Sequence, residues 1–220
     1  RRQRQMCIRD RIEETWTLGV RTGARRLWRR GVLALEEHLD AAGARHGAFA
    51  TWRTTKDRRE RGAYHHGVRD GAWTWWARRS AIEREGQYRR GARDGTWTER
   101  RGGRVRWRGR YRDGLADGPQ VTLDARGTEL GRDVLTAGSG VVRTFHPSDK
   151  PSSEATWRGG VLDGPYRELR ASGAVVVLGA YVAGERSGPW QWRTASGGIG
   201  REGHYRAGHR DGTWLRREAS

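Results

Sequence analysis

Histidine and cysteine supply most transition-metal ligands in proteins. The chain has a single cysteine, Cys7, so no disulfide can form within it. Its seven histidines show no regular ligand spacing, and several fall at variable positions of a repeat described below: His65, His66, His204 and His209. From this pattern we predict no metal site and no cofactor.

Two glycine-containing segments resemble motifs of enzymes. Gly198-x-Gly200-x-x-Gly203 formally matches a dinucleotide-binding fingerprint, but we expect it to lie on a turn between two hairpins, with no helix to receive a pyrophosphate. The segment around Ser139 lacks the glycine spacing of a nucleophile elbow. We therefore predict no catalytic residue and no small-molecule substrate.

Aspartate recurs in the sequence Gly-x-x-Asp-Gly, for example at Asp70, Asp94 and Asp211. Carboxylates repeated at a fixed spacing could form a ladder of calcium sites, but Asp and Gly are also the residues that make tight turns. We favour the turn explanation. A catalytic site is normally a single constellation, whereas each polar feature of this chain is repeated, so we predict that the protein is not an enzyme.

These turns belong to a tandem repeat with a period of 23–24 residues. The pattern Gly-x-Tyr-x-x-Gly-x-x-Asp-Gly-x-Trp begins at Gly62 and again at Gly86. We call the Tyr position the anchor, and the aromatic residue nine positions later the second aromatic. The anchors are Trp16, Asp40, Tyr64, Tyr88, Tyr111, Trp157, Tyr181 and Tyr205, and a further repeat is expected near Val134.

Glycine follows each of these anchors after three and after seven residues. Glycine tolerates positive φ, so the two glycines and the Asp between them predict a tight return between two short strands. A second turn follows the aromatic strand, and the repeats then form a β-meander. The predicted structural turn residues include Gly67, Gly71, Gly91, Gly95, Gly114, Gly118, Gly160, Gly164, Gly184, Gly188, Gly208 and Gly212.

Two strands in each repeat predict an all-β fold. We expect an elongated, single-layer antiparallel β-meander, an open-ended ribbon of 23–24-residue hairpins. Residues 12–220 are predicted to form one array of about nine repeats, degenerate near residues 130–150. Residues 31–42 are the most helix-like stretch, and we predict a strand there as well.

The N-terminal residues do not follow the repeat pattern. Residues 1–11 resemble a translated adaptor sequence of the kind ligated to DNA in library preparation, so we predict a non-native leader there. The only methionine is Met6, which predicts that the natural start is missing. The sequence leaves the compartment open, with a slight preference for the cytoplasm. No apolar run approaches the ~20 residues of a transmembrane helix.

Gly and Tyr of the Gly-x-Tyr motif lie two residues apart on a strand and therefore share one face. A ring from the neighbouring strand can lie across the bare glycine backbone. One face of the sheet should thus carry a ladder of rings, which we predict to bind a partner. Its residues are Tyr64, Trp73, Trp75, Tyr88, Trp97, Tyr111, Trp157, Tyr166, Tyr181, Trp190, Trp192, Tyr205 and Trp214.

At these glycine and aromatic positions the sequence resembles the MORN repeat, most closely its bacterial variant in the YwqK-like antitoxin family. The resemblance covers roughly residues 14–218. It implies an elongated antiparallel sheet that serves as a scaffold, and the antitoxin label implies a toxin as partner. Three positions depart from the pattern: Asp40 replaces an anchor, Gln120 a second aromatic and Ser187 a turn aspartate.

The chain carries 44 Lys plus Arg against 26 Asp plus Glu, a net charge of +18. Almost all of the cations are arginine, which a GC-rich genome can produce without selection for binding. Arginines interleaved with aromatics, as in residues 104–112, could hold phosphates beside stacking platforms. The first hypothesis is a scaffold that binds a protein partner through the aromatic face, and the alternative is binding of nucleic acid or an anionic lipid surface.

Two further explanations stay open. The rings could pack on one another and under arginine stems, which would leave little surface for any partner. The array could also be an accessory part of a larger enzyme. The identity of the partner and the oligomeric state are not indicated by the sequence.

Overall fold

The computed structural model describes residues 10–78 and 81–217. Most of the predicted leader, residues 1–9, lies outside the described residues. Its last two residues are described: Asp10 accepts a hydrogen bond from the backbone N–H of Arg30 at 2.6 Å, and Arg11 begins the first strand.

The described secondary structure consists almost entirely of β-strands. They are β1 (Arg11–Thr17), β2 (Val20–Arg29), β3 (Val32–Leu39), β4 (Arg45–Thr54), β5 (Asp57–His65), β6 (Val68–Trp76), β7 (Ile82–Arg89), β8 (Ala92–Arg101), β9 (Arg104–Arg112), β10 (Leu115–Leu123), β11 (Glu129–Leu135), β12 (Gly140–Phe145), β13 (Pro151–Arg158), β14 (Val161–Leu169), β15 (Val175–Val182), β16 (Glu185–Arg193), β17 (Ile199–Arg206) and β18 (His209–Arg216).

The strands form two antiparallel sheets, β1 to β11 and β12 to β18, in which neighbours follow sequence order. This confirms the predicted all-β meander. The helix-like residues 31–42 contain strand β3, as predicted, since Val32, Leu33 and Leu35 pack half-buried within the sheet. Within residues 10–78 and 81–217 there is no helix long and apolar enough to cross a membrane.

The chain divides into two compact units, residues 1–105 and 106–220. In the first unit, strands β1 to β8 pair one after another. In the second unit, β10 pairs with β11, and β12 to β18 form the seven-stranded sheet. Each unit contains a series of complete repeats.

The turn within each repeat has a shared backbone geometry. In the repeat anchored at Tyr64, His66 and Gly67 have φ of +46° and +85°, as a two-residue hairpin turn with positive φ at both positions requires. Gly71 also has positive φ and lies at a bulge, where the register of β5 and β6 shifts opposite Gly62. All of the predicted turn glycines named above have positive φ.

The degenerate repeat lies where one sheet ends and the other begins. Between β11 and β12 the described pairing is a single bridge, Thr136 with Ser139. The turn is formed by Ala137 and Gly138, both with positive φ, so the anchor three residues before Gly138 is Leu135. Leu135 is 4% exposed, whereas Val134 is 63% exposed. An aliphatic side chain has therefore taken the place of the aromatic anchor, one residue beyond the position expected from spacing.

The first repeats replace aromatic packing with an ion pair. Glu37 is buried, and its carboxylate accepts hydrogen bonds from Arg25 and Arg45 at 2.7 Å each. Arg25 stands nine residues after the anchor Trp16, where most other repeats carry a ring. Two guanidinium groups satisfy the buried carboxylate, as a buried charge requires.

Candidate partner-binding surface

The second aromatic of each well-formed repeat lies flat against a glycine of the same repeat. A Cβ placed on Gly62 would overlap the ring of Trp73, and the same holds for Gly86 with Trp97. The indole Nε1 of Trp73 donates to the carbonyl of Ala63 at 3.0 Å, so its polar atom is satisfied. Trp97 and Trp190 make the equivalent hydrogen bonds, to Gln87 and Ala180.

These rings join the anchors into one aromatic ladder in the first compact unit. Tyr64 meets Phe49 and Trp73 edge-on, with ring centroids 5.2 Å apart in both pairs. Tyr88 meets Trp97 edge-on at 5.0 Å. Edge-to-face contacts at this distance are favourable because the positive ring edge faces the negative ring face. The ladder is therefore the main apolar core of this unit.

The second compact unit contains a ladder of the same construction. Tyr181 meets Trp190 edge-on at 5.3 Å, and Tyr205 meets Trp214 edge-on at 5.1 Å. Trp192 lies 5.8 Å from Trp214, which extends the stack. The phenol of Tyr166 donates to Glu168 at 2.7 Å, and burial together with that carboxylate raises the pKa of Tyr166 well above its usual range.

The thirteen predicted partner-binding residues differ in exposure. Trp73, Trp97 and Trp190 are at most 1% exposed and have almost no surface to offer. The other ten are half-buried: Tyr64, Trp75, Tyr88, Tyr111, Trp157, Tyr166, Tyr181, Trp192, Tyr205 and Trp214. The predicted aromatic face is thus largely a core, and much of its cover is arginine.

An arginine five residues after the anchor covers the second aromatic. The guanidinium carbon of Arg69 lies 4.5 Å from the ring centroid of Trp73. The corresponding distance is 4.5 Å for Arg93 over Trp97. In the other repeats, we find Arg45 over Phe49, Arg186 over Trp190 and Arg210 over Trp214 at 5.1, 4.7 and 4.6 Å. We call these five residues the arginine row.

Members of the arginine row also bind the anchor of the next repeat. Arg69 donates to the Tyr88 hydroxyl at 3.4 Å, and Arg186 donates to the Tyr205 hydroxyl at 3.2 Å. Burial opposes ionisation of Tyr205, but hydrogen bonds from Arg186 and Arg210 outweigh it and lower its pKa. Arg69 and Arg186 therefore each connect two successive repeats through a ring face and a phenol oxygen.

Tyr205 should ionise at a lower pH than an ordinary tyrosine, whose pKa is about 10. Because its folded-state pKa lies below the unfolded value, its contribution to stability is gained as pH rises through that interval. The absorbance of phenolate, compared between the wild type and Tyr205→Phe, isolates this titration. Arg186→Gln should raise the Tyr205 pKa, and an unchanged titration in that variant would contradict the assigned contact.

Predictions based on the glycines and the rings alone miss the arginine position of the repeat, although the sequence contains a signal for it. Arginine recurs five residues after the anchor at Arg21, Arg45, Arg69, Arg93, Arg186 and Arg210. In two repeats this position holds Ala116 and Leu162, and there the second aromatic is Gln120 or Tyr166 rather than tryptophan. Apart from Arg21, whose repeat carries Arg25 in place of the second aromatic, the position is arginine where its partner is tryptophan or phenylalanine. This pattern predicts a cation over a ring.

The repeated aspartates have a structural task in the backbone. Asp70 accepts a hydrogen bond from the N–H of Arg90, in the turn of the following repeat, at 3.1 Å. Asp117 accepts from the N–H of Ala137 in the same way at 3.2 Å. These contacts give the recurring carboxylate a turn-binding role. The segment with Gly200 and Gly203 lies on strand β17 after its turn, and Gly203 lies beneath the ring of Trp214.

Histidines that are separate in sequence come together beside the first aromatic ladder. The ring centroids of His46, His65 and His66 lie 4.5–5.1 Å apart. His66 Nδ1 is 2.8 Å from Asp40, whose carboxylate also accepts from the N–H groups of Ala42 and Ala44. The hydrogen bond with His66, followed by that from Ala44, lowers the pKa of Asp40.

The chain was also compared with models of protein families and with curated proteins. No family model matches it, and no curated protein is found to be similar to it. The geometry of the described residues is therefore the basis for any functional assignment.

Proposed function

We propose that the protein is a non-catalytic repeat scaffold, and that each compact unit binds an acidic segment of a protein partner along its own members of the arginine row. The observation that carries this proposal is the set of contacts that Arg69 and Arg186 each make with aromatic residues. Both guanidinium groups are held by ring faces and phenol oxygens, and within the described chain neither forms an ion pair with a carboxylate. A fixed cation without an acidic neighbour is suited to a partner's carboxylate.

Preorganisation adds to the suitability of this surface. A flexible arginine loses side-chain entropy when it is ordered by a partner. Here stacking on Trp73 and a hydrogen bond to Tyr88 already restrict Arg69. Within the first compact unit, Arg45, Arg69 and Arg93 lie over the rings of successive repeats, so an extended partner would meet several guanidinium groups in succession. Electrostatic complementarity of this kind favours specificity and fast association.

Burial of the tryptophans favours a protein partner over nucleic acid. Single-stranded nucleic acid is bound largely by stacking of bases on exposed ring faces. Trp73, Trp97 and Trp190 have at most 1% of their surface exposed, so their rings offer no such platforms. Nucleic acid and anionic lipid remain the alternative, which the net charge of +18 supports.

The MORN-like identity, and a toxin as the partner, stay predictions from the sequence resemblance. A scaffold role is consistent with the structural use of the repeated aspartates, such as Asp70 with the backbone of Arg90. The repeated glycines are likewise used by turns and by ring packing. These structural roles of the repeated residues support the proposal that the protein is a scaffold and not a catalyst.

The binding test compares two variants that lose the same charge. Arg69→Gln/Arg93→Gln removes two members of the arginine row, and Arg59→Gln/Arg101→Gln removes two exposed arginines from other positions. A fluorescent polyglutamate peptide and a single-stranded oligonucleotide serve as probes, titrated at low and at physiological salt. We expect the row variant to bind the peptide at least about tenfold more weakly than the control variant.

Three outcomes separate the hypotheses. A peptide preference that is lost only in the row variant supports the proposal. Equal losses in both variants would mean that net charge alone governs binding and would contradict it. Tighter binding of the oligonucleotide, with a steep salt dependence, would favour the polyanion alternative. Near-ultraviolet circular dichroism of the tryptophans checks that both variants keep the aromatic ladder.

A further inference from the structure

The histidine cluster has the composition of a transition-metal site. His46 lies on β4, His65 ends β5, and His66 is the first residue of the turn that follows. One ring nitrogen from each of the three lies within 4.8 Å of the other two. Imidazole nitrogen is the ligand that zinc, copper and nickel share. Three such nitrogens on one side of a hairpin can fill three of the four ligand positions around a tetrahedrally coordinated ion.

Asp40 holds one of these rings in an orientation suited to metal binding. Its ionised carboxylate can only accept hydrogen bonds, so His66 Nδ1 carries the proton at the 2.8 Å contact. This leaves Nε2 of His66 with its lone pair available. In zinc sites, the ring nitrogen of a ligating histidine that does not bind the metal commonly donates its N–H to a carboxylate. This hydrogen bond fixes the orientation of the ring and raises its basicity.

His46 and Asp40 are themselves held by the backbone. The N–H of His66 points towards Nδ1 of His46 at 3.5 Å, which leaves Nε2 of His46 for a ligand. Asp40 accepts the N–H groups of Ala42 and Ala44 at 3.0 and 2.9 Å. Local charge is balanced as well, because the nearby Arg45 is paired with Glu37 at 2.7 Å.

We propose that His46, His65 and His66 bind one divalent transition-metal ion of the zinc class, with Asp40 as a positioning residue and water as the fourth ligand. Ligand nitrogens around tetrahedral zinc are about 3.4 Å apart, given bond lengths near 2.1 Å. The ring nitrogens, which lie within 4.8 Å of one another, must therefore approach by at most about 1.4 Å. Rotation of the exposed His65 ring towards His46 and His66 achieves much of this, while Asp40 keeps its hydrogen bond to His66.

The ion would connect two strands and a turn of the first compact unit. β4 and β5 are already paired, with Gly47 opposite Tyr64, so the metal would close the end of this hairpin next to the aromatic ladder. A ligand that binds only the folded state stabilises it in proportion to the logarithm of its concentration. Zinc should thus protect the first unit from unfolding, independently of any partner on the arginine row.

The test is calorimetric titration of the full chain with Zn²⁺ alone. We expect one site per chain in the wild type, with affinity at least about tenfold weaker in His46→Gln and in His66→Gln. His209→Gln, on β18 of the second compact unit, is the matched control and should bind as the wild type does. With Cu²⁺ in place of Zn²⁺, the electron paramagnetic resonance spectrum of the wild type should show hyperfine coupling to the histidine nitrogens. This coupling should be reduced in His46→Gln.

Asp40→Asn tests the positioning role, because asparagine keeps an oxygen for the N–H groups of Ala42 and Ala44. We expect it to weaken zinc binding by about 10–100-fold while the melting temperature without metal changes little. Binding that is equal in His46→Gln and His209→Gln would overturn the proposal. So would the absence of a one-to-one site in a wild-type chain whose circular dichroism shows intact aromatic packing.

Discussion

Replacing Trp97 by alanine should lower the free energy of unfolding of the first compact unit by about 3–5 kcal/mol. The ring is completely buried, lies on the backbone of Gly86 and donates to the carbonyl of Gln87. Its removal leaves a cavity and takes one hydrogen bond from the Gln87 carbonyl. It also removes the ring that packs against Tyr88 and lies beneath Arg93. Glycine offers no side chain that could refill this space.

The experiment is urea unfolding followed by near-ultraviolet circular dichroism, with amide hydrogen exchange to locate the loss. Trp16→Ala is the matched control, because the Trp16 side chain is 56% exposed and should contribute less than about 1 kcal/mol. Faster exchange in β7 and β8 of Trp97→Ala is expected. Equal destabilisation by the two substitutions would show that the ladder is not the core of this unit.

The repeat could be predicted from the sequence because its determinants are local. Gly67 and Gly71 mark a turn by their type and spacing, and the alternation of Gly62 with Tyr64 places both on one face. Such rules need only neighbouring residues. They predicted the antiparallel meander and the packing of a ring across glycine, both of which the structure contains.

The surface could not be predicted in the same way, because it depends on long side chains with several rotatable bonds. The exposure of Trp73 is decided by Arg69, whose guanidinium could equally have extended into solvent. The histidine cluster joins His46 to His66, which are brought together by strand pairing and a turn. Spacing along the chain does not reveal that proximity, and a histidine pattern sought in sequence alone misses it.

Departures from the repeat show which of its features are replaceable. Leu135 takes an anchor position and is buried, although it is not aromatic. In that repeat the ring of Phe145 lies over Gly131, so the stacking of ring on glycine survives a shift of the frame. Where Arg25 stands at the second aromatic position, Glu37 with its two arginines fills the core. Filling the space beside the bare backbone matters more than the identity of the anchor.

Gly86→Ala should lower the free energy of unfolding by about 2–3 kcal/mol, although it adds a single methyl group. The backbone of Gly86 does not have positive φ, so the cost is steric: the new Cβ would overlap the buried ring of Trp97. Gly198→Ala is the matched control. Its Cβ would lie 3.6 Å from the nearest atom, an ordinary contact, so stability should change by less than about 0.5 kcal/mol.

The double variant Gly86→Ala/Trp97→Ala tests the mechanism of this effect. If the methyl group is harmful only because it meets the indole, its cost should largely disappear once Trp97 is alanine. The coupling free energy from the double-mutant cycle should then be about 2 kcal/mol in the favourable direction. Additive losses would instead place the cost in the strand backbone, and the stacking of ring on glycine would no longer explain why glycine recurs two residues before the anchor at Gly62, Gly86, Gly109, Gly179 and Gly203.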